Sequence, residues 1–461
     1  MKPMMRFANA DPRPVRTLWW CALAIAISFV VLSIARTRLS KEPDRVFAVE
    51  SLQPAAQFND SWLAMNTAFN YLRSPHSTPV YTKVFIQDHM KFQYPLTSLL
   101  PLYVVRGQTA LNTISLVLIL LTCPVMVVLF NRFLTMASPT NDAGGPISEP
   151  LIDRIGRIAL PLLMMLTFYP LINAYRLGQL QSWLFAGFML MVWLWMDKRY
   201  IAAGLLAGLL TCGKPQFGLL LIWAATRRKW SFCGAFLVVA LAAGLISLAL
   251  FGITENLDYL NVLAFLSRHG ESWWWNQSVN GLLNRAIYLH GAFTWNQHFL
   301  PPYNPVVYYG TILSSLALIA GGLFVPARFR GGIADLLLAS LTCTIASPVA
   351  WIHHYTILLP VFAAMFAWSA TVRPLGRWTL PVLCISYTLV GTYQGAFWKL
   401  ALSRFNYIQS YPLAGVLIAL FVLYVWVIRG EPGGAFEPSG RQIPAAHAGA
   451  ERAPLPQPLA V

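Results

Sequence analysis

Residues 17–35 read TLWWCALAIAISFVVLSIA, an uncharged apolar run that is long enough to cross a lipid bilayer as one helix. Four basic residues precede it: Lys2, Arg6, Arg13 and Arg16. The pattern fits either a cleaved signal peptide or an uncleaved signal anchor, and the length of the apolar run favours the anchor. Residues 1–16 are then a short cytoplasmic segment.

The composition is that of a membrane protein along the whole chain. Hydrophobic residues make up 57% of the 461 residues, whereas charged residues make up 11%. The 33 Lys and Arg residues outnumber the 17 Asp and Glu residues, but they lie mainly between apolar runs, where basic residues set topology and contact lipid headgroups. We therefore expect membrane lipids, and no nucleic acid, as partners.

Eleven further apolar segments follow the first one, which predicts an all-α polytopic membrane protein with about 12 transmembrane helices. They lie at about 96–130, 158–174, 178–196, 200–212, 215–226, 231–252, 305–325, 333–347, 352–370, 377–394 and 411–428. A single membrane domain would thus cover residues 17–429. Residues 430–461 are rich in Pro, Gly and Ala, which is typical of a disordered tail.

The basic residues alternate between the two sides of the predicted membrane. With the N-terminus inside, nearly every short inner connection carries two or more of them: Arg132, Arg154 and Arg157; Lys198 and Arg199; Arg227 to Lys229; Arg328 and Arg330; Arg373 and Arg377. This places both termini in the cytoplasm. It also places two long loops, residues 36–95 and residues 253–304, on the extracytoplasmic side.

Two of the predicted hairpins have unusually short arms. Arms of about 12 to 15 residues reach only about 18 to 22 Å, against a hydrocarbon core of about 30 Å, so their turns should lie below the outer surface. One turn holds Lys214, and the other holds Ser347, His353 and His354. A charge at this depth usually faces a cavity or a partner. The alternative is a snorkelling Lys214 on one helix kinked by Gly213 and Pro215.

Other polar groups interrupt the apolar sequence on the same predicted side. Gly178-Gln179-Leu180-Gln181 opens a helix, which suits either sugar hydroxyls and anions or simple capping. Trp273-Trp274-Trp275 precedes Asn276-Gln277-Ser278 and Arg285, and these tryptophans fit a membrane belt or a platform for a sugar ring equally well. Adjacent histidines on a helix point in different directions, so one of His353 and His354 is expected to face a cavity.

Taken in order, these residues resemble glycosyltransferase family 87, whose members are polyprenyl-phosphate-mannose-dependent mannosyltransferases of the GT-C type. The resemblance covers residues 17–428 and is carried by Asp60, Tyr94-Pro95, Gly178-Gln179, Lys214-Pro215, Asn276-Gln277-Ser278 with Arg285, and residues 347–354, SPVAWIHH. The chain departs from the family pattern at Leu96, where a second Pro is usual, and at Gln181, where Asn or Ser is usual.

The resemblance implies a GT-C fold in the plasma membrane, with the active site on extracytoplasmic loops. It implies transfer of mannose from a polyprenyl-phosphate donor to a lipid or glycan acceptor. A single base with direct displacement predicts inversion, and neither a catalytic metal nor a cofactor is expected, because no carboxylate cluster or metal-like His spacing accompanies Asp60. Asp60 would be the general base, with Asp88 and Glu271 as the alternatives, although Asp60 also fits a helix N-cap. The implied substrate-binding residues are Tyr94, Arg176, Gln179, Lys214, Asn276, Ser278, Arg285, His353 and His354.

Two other classes of membrane protein remain compatible with the sequence. Short segments interrupted by Gly and Pro also mark transport sites, so a flippase or transporter for lipid-linked sugars is the main alternative. The polar groups gather on one face, however, and no inverted repeat is visible. A purely structural membrane subunit is the third class.

Overall fold

The computed structural model describes residues 14–40, 60–137, 150–288, 300–326, 330–392 and 395–429. The predicted N-terminal segment before residue 14, parts of both long loops (residues 41–59 and 289–299) and the predicted disordered tail, residues 430–461, lie outside the described residues.

The described part of the chain is all-helical. Its α-helices are α1 (Pro14–Ser40), α2 (Asp60–Leu72), α3 (Gln108–Ala137), α4 (Leu151–Thr167), α5 (Tyr169–Arg176), α6 (Gln181–Met196), α7 (Tyr200–Gly213), α8 (Leu219–Thr226), α9 (Trp230–His269), α10 (Val279–Ile287), α11 (Pro305–Leu323), α12 (Ile333–Ile345), α13 (Leu358–Ser369), α14 (Thr379–Gly391) and α15 (Tyr411–Arg429). Short 3₁₀ and π-helical turns connect several of them, including Leu96–Tyr103, Pro215–Gly218 and Ile352–Ile357.

Six helical stretches in the described ranges are long and apolar enough to cross a membrane. They are Val15–Ala35, Gln108–Ala137, Trp230–His269, Pro305–Leu323, Ile352–Ser369 and Asn406–Ile428, and α4 with α5 makes a seventh if that pair, bent by 54°, counts as one span. The all-α membrane class is thereby confirmed, whereas the count of about 12 spans is not. The difference arises because the sequence count included short helices such as α6, α7, α8 and α12, which reach less than the thickness of a hydrocarbon core.

The chain reverses direction at Lys214, so α7 and α8 form a hairpin rather than one kinked helix. At the tip, Lys214 Nζ lies 2.7 Å from Gln181 Oε1. At the base, Lys229 Nζ lies 3.3 Å from the hydroxyl of Tyr200, the first residue of α7. The ends of the two arms therefore meet on one side. Pro215 has no N–H with which to continue the α7 ladder, which favours the break at this point.

Basic residues of the predicted inner connections gather at the base of this hairpin. The Arg227 guanidinium donates to both oxygens of the buried Asp335 carboxylate, over 2.9 and 2.8 Å, and to the backbone oxygen of Leu323. This paired contact joins the end of α8 to the start of α12 and the end of α11. Arg132 pairs with Asp197 in the neighbouring connection.

The predicted second loop, residues 253–304, is partly helical. Helix α9 turns sharply at Gly252, whose φ of 81° is left-handed, and then continues to His269. Its second half carries Glu255 and Asp258, which accept hydrogen bonds from the backbone N–H groups of Val80 and Thr82. The two predicted long loops are thus held together on the side of the molecule opposite Arg227.

Candidate active site

A cavity of about 280 Å³ opens at the tip of the α7–α8 hairpin. Its polar lining includes Asp60, Lys91, Tyr94, Lys214 and His354, and Leu263 and Leu266 of α9 contribute apolar lining. These residues come from both long loops, from the turn of the first short hairpin and from the segment after α12. The cavity therefore brings together polar residues that are separated by up to about 300 positions in the sequence.

Asp60 begins helix α2 at the edge of the cavity. Its backbone N–H donates to the carbonyl of Leu177 over 2.9 Å, and its Oδ2 accepts from Gln179 Nε2 over 2.5 Å. Burial raises the pKa of the Asp60 carboxyl to about 6, and the nearby Lys91 ammonium limits this rise. The group can therefore be ionised at neutral pH and still accept a proton readily, as a general base must.

Gln179 holds Asp60 in place and does not itself line the cavity. Gly178, with φ of 60°, supports the tight turn that buries the Gln179 side chain behind the carboxylate. Gln179 Oε1 accepts hydrogen bonds from Ser61 Oγ and, over 3.2 Å, from the Tyr94 hydroxyl. The Ser61 and Tyr94 hydroxyls lie 2.6 Å apart. These contacts fix the orientation of the amide, so its N–H group faces Asp60.

Lys214 is a buried basic residue in the wall of the cavity. Its side chain is only 5% exposed, and its Nζ donates to Gln181 Oε1 over 2.7 Å. Gln181 in turn donates through Nε2 to Thr356 Oγ1 over 2.9 Å. No described carboxylate lies within ion-pair distance of Lys214. Burial lowers the pKa of Lys214 well below its usual value, and an anion in the cavity would favour the charged ammonium.

Lys91 is a second cation of the cavity, and sequence reasoning missed it. It forms an ion pair with the buried Glu271 and lies 5.2 Å from the ring centroid of Trp351. Trp351 Nε1 donates to the other carboxylate oxygen of Glu271 over 2.5 Å. The sequence held two separate signals: Lys91 directly precedes Phe92-Gln93-Tyr94, and Glu271 shortly precedes the three tryptophans. The role of Lys91 became visible only from its contact with Glu271, which is 180 positions away in the sequence.

The two histidines point in different directions. His354 lines the cavity, and its Nδ1 has no hydrogen-bond partner in the described part of the chain. His353 is fully buried beside it, and neither of its ring nitrogens has a partner among the described residues. Of the pair, His354 is the residue that a substrate in the cavity could contact.

The resemblance implied that Asn276 and Ser278 bind substrate, but the structure places both away from the cavity. Both are buried outside the cavity lining. Asn276 donates to the carbonyls of Glu271 and Pro348 and accepts from the N–H of Ala350, and Ser278 Oγ donates to the carbonyl of Pro348 over 2.8 Å. Their side chains join two backbone segments, which positions Trp351 and His354 indirectly.

Arg285 and Arg176 also lie outside the cavity lining. Arg285 is fully buried, and its guanidinium donates to Ser410 Oγ over 2.7 and 3.1 Å and to the carbonyls of Trp273 and Ser272. Its donors are directed at these protein oxygens, so it ties the tryptophan segment to the residues before α15. Arg176 is the last residue of α5, beyond which the chain turns toward Gln179.

Two alternative bases are placed by the structure. Asp88 forms an ion pair with Lys83 over 2.7 Å and lies outside the cavity lining, whereas Glu271 is committed to Lys91 and Trp351. Asp60 is thus the carboxylate that lines the cavity. Within the described ranges, no three His, Cys, Asp or Glu side chains cluster closely enough to hold a metal ion.

Comparison with known proteins gives one match. The sequence model of glycosyltransferase family 87 matches residues 92–351, more than half of the chain. No curated protein and no solved structure matches the chain. The matched range includes Lys214 and Glu271, whereas Asp60 and His354 lie outside it and are connected to it by the geometry of the cavity.

Proposed function

The chain belongs to glycosyltransferase family 87, and on that premise we propose that it transfers a sugar, mannose, from a polyprenyl-phosphate donor to a hydroxyl group of a lipid or glycan acceptor. The reaction takes place in the plasma membrane, on its extracytoplasmic face, and inverts the anomeric carbon. The choice of mannose and of a polyprenyl carrier rests on the sequence resemblance, and the assignment of roles below rests on the cavity.

The observation that carries the proposal is the presence of Asp60 and Lys214 in one cavity. An acceptor hydroxyl must lose a proton as it attacks, and the phosphate must leave with growing negative charge. Asp60 takes the proton, the acceptor oxygen bonds to the anomeric carbon, and the bond from that carbon to the phosphate oxygen breaks. Lys214 stabilises the charge on the departing phosphate. Because a single displacement occurs, the configuration inverts.

Lys91 and His354 supply further contacts around the same phosphate. Lys91 lies on the cavity wall and forms an ion pair with Glu271. Its ammonium group therefore adds positive potential near Asp60, although it is already paired. His354 presents a ring to the cavity and can donate a hydrogen bond. We therefore assign phosphate binding to Lys91 and His354 rather than to Arg285, because the Arg285 guanidinium contacts protein oxygens.

The position of the basic residues supports the proposed orientation. Arg227 and Lys229 lie at the base of the α7–α8 hairpin, and Lys214 lies at its tip. If the basic end faces the cytoplasm, as the positive-inside rule indicates, the cavity opens on the opposite side. Nucleotide sugars are not available there, which fits a donor carried on a lipid phosphate.

The test is a transfer assay with purified protein in lipid nanodiscs. A radiolabelled polyprenyl-phosphate mannose and an acceptor lipid extract should give labelled product of inverted anomeric configuration, and the Asp60→Asn variant should give none. In proteoliposomes, movement of intact donor between leaflets without release of polyprenyl phosphate would assign a flippase instead. Absence of both transfer and movement would leave the structural-subunit alternative.

A further inference from the structure

An apolar groove of about 520 Å³ runs along the membrane-facing side of α6 and α7, next to the cavity. Its walls come from the 3₁₀ turn Leu96–Tyr103, from α3, α6 and α7 and, at Ala243, from α9. Along α6 it extends from Leu180, the residue before the helix, to Leu190, which is about 15 Å at 1.5 Å per residue. This is about half of the thickness of a hydrocarbon core.

The groove and the cavity share Gly213. This residue lines both, and the next residue is Lys214, the buried cation of the cavity. Gly213 has no side chain, and Leu184 of α6 packs closely against it, since a Cβ atom at Gly213 would lie 3.0 Å from Leu184 Cδ2. The groove therefore adjoins the cavity at Gly213, next to the residue that would hold an anionic group.

One part of the groove is open to the lipid-facing surface, whereas the part beside Gly213 is buried in the protein. Leu121 and Leu209 line it and are 61% and 56% exposed, whereas Leu180 and Leu210 beside Gly213 are buried. Two of its polar side chains are already engaged, since Thr97 Oγ1 donates to the carbonyl of Cys212 and Thr122 Oγ1 to that of Ile119. The walls thus favour a hydrocarbon chain that enters sideways from the bilayer.

We infer that this groove holds the hydrocarbon chain of the lipid-phosphate donor, with the isoprene units nearest the phosphate beside Gly213. The inference rests on the proposed function. A second apolar groove, of about 280 Å³, lies between α1, α3 and α4 and is lined by Ala22 and Phe29, among others. It shares no lining residue with the cavity, so nothing places a phosphate at its end.

Photo-crosslinking of the full chain in nanodiscs tests the inference without depending on turnover. The probe is polyprenyl phosphate with a diazirine on the isoprene units nearest the phosphate. Labelled peptides should come from α6, α7 and the turn Leu96–Tyr103, and excess unlabelled polyprenyl phosphate should compete, whereas bulk phospholipid should not. Labelling of α1, or uniform labelling of all lipid-facing helices, would overturn the assignment. Competition by the acceptor lipid alone would assign the groove to the acceptor and overturn it equally.

A pair of matched variants adds a kinetic test. Ala186→Phe fills the groove, and Ala22→Phe adds the same bulk to the second groove. We expect Ala186→Phe to raise the donor KM roughly tenfold, since lost contact with about two methylene groups suffices, and Ala22→Phe to leave it unchanged. Equal effects of the two would contradict the inference. Wild-type crosslinking in α6 and α7 without any sugar transfer would refute the proposed function and leave the groove as a lipid-phosphate site.

Discussion

Asp60 has two roles in the structure, because it starts helix α2 and also lines the cavity. A helix N-terminus favours an ionised carboxylate, whereas burial favours a protonated one. Burial has the larger effect and raises the pKa of Asp60 to about 6. Asp60 is still mainly ionised at neutral pH, but its ionisation is less favourable in the folded protein than in an unfolded chain, which is a feature of groups kept for chemistry rather than for stability.

Asp60→Asn should abolish transfer while the protein still folds. Asparagine begins a helix about as well as aspartate but accepts no proton from a hydroxyl, so the rate should fall by about 10²-fold to 10⁴-fold. The midpoint of thermal unfolding at neutral pH should be unchanged or higher, because an unfavourable buried charge is removed. Donor binding serves as the control. Normal turnover by this variant would move the search for the base to Glu271.

The transfer rate should depend on pH through Asp60. The base works when ionised, and its pKa in the folded protein is about 6, so kcat/KM should fall about tenfold per pH unit below that value. Lys91→Met removes the cation that lowers the pKa, and the inflection should move to higher pH. An unchanged inflection in this variant would show that another group controls the profile.

Lys214→Ala should weaken use of the donor without unfolding the protein. A charge-assisted contact to the phosphate is worth about 1.5 to 3 kcal/mol, hence roughly tenfold or more in kcat/KM for the donor. Gln181→Glu is the matched variant, because it keeps the reach to Lys214 but places a negative charge 2.7 Å from Nζ. It should reduce donor use as well. Unchanged kinetics in both variants would show that Lys214 has a structural role.

At the scale of elements, the segments around Asn276 and Pro348 are joined by side-chain contacts to backbone. Asn276→Ala would leave the N–H of Ala350 and the carbonyls of Glu271 and Pro348 without this partner. Each buried unpaired group costs about 1 to 3 kcal/mol, so the unfolding midpoint in detergent should fall clearly. Unchanged stability together with a higher donor KM would instead indicate direct contact with substrate.

The elements themselves were only partly predictable from the sequence. The hairpin at Lys214 followed from arm length and from basic residues on both sides, which are local signals. The continuation of α9 beyond Gly252 could not be predicted, because Glu255, Asn256 and Asp258 look like loop residues. Their role became clear only when Glu255 and Asp258 were seen to contact the other long loop. The same limit explains Asn276, Ser278 and Arg285, whose residue types suit a substrate as well as they suit a buried backbone contact.

At the scale of the whole molecule, Arg227 and Lys229 lie at one end of the α7–α8 hairpin, and the cavity lies at the other. Single cysteines introduced at Arg228 and Arg268, both exposed, should react with impermeant reagents from opposite sides of the membrane. The native cysteines are replaced beforehand, and labelling after permeabilisation is the control. Reaction of both positions from the cytoplasmic side would remove the basis for an extracytoplasmic cavity.

The gathering of polar residues on one face could be predicted, since the alternation of basic loops orders every connection along the chain. The sequence did not show which of those residues line the cavity. Lys91 became part of it only through Glu271, across 180 positions, and His354 was separated from His353 only by the course of the 3₁₀ turn.

The ion pair of Arg227 and Asp335 has a mechanical consequence for the distant cavity. It fixes the base of the hairpin that carries Lys214 to the base of the helix that leads to His354. An arm of about 12 residues is about 18 Å long, so a tilt of about 10° at this pivot displaces the tip by about 3 Å. Hydrogen bonds to a phosphate tolerate only a few tenths of an ångström. The contact between Arg227 and Asp335, at the other end of the hairpin from the cavity, therefore sets the spacing of Lys214 and His354, the two groups that we propose to bind the leaving phosphate.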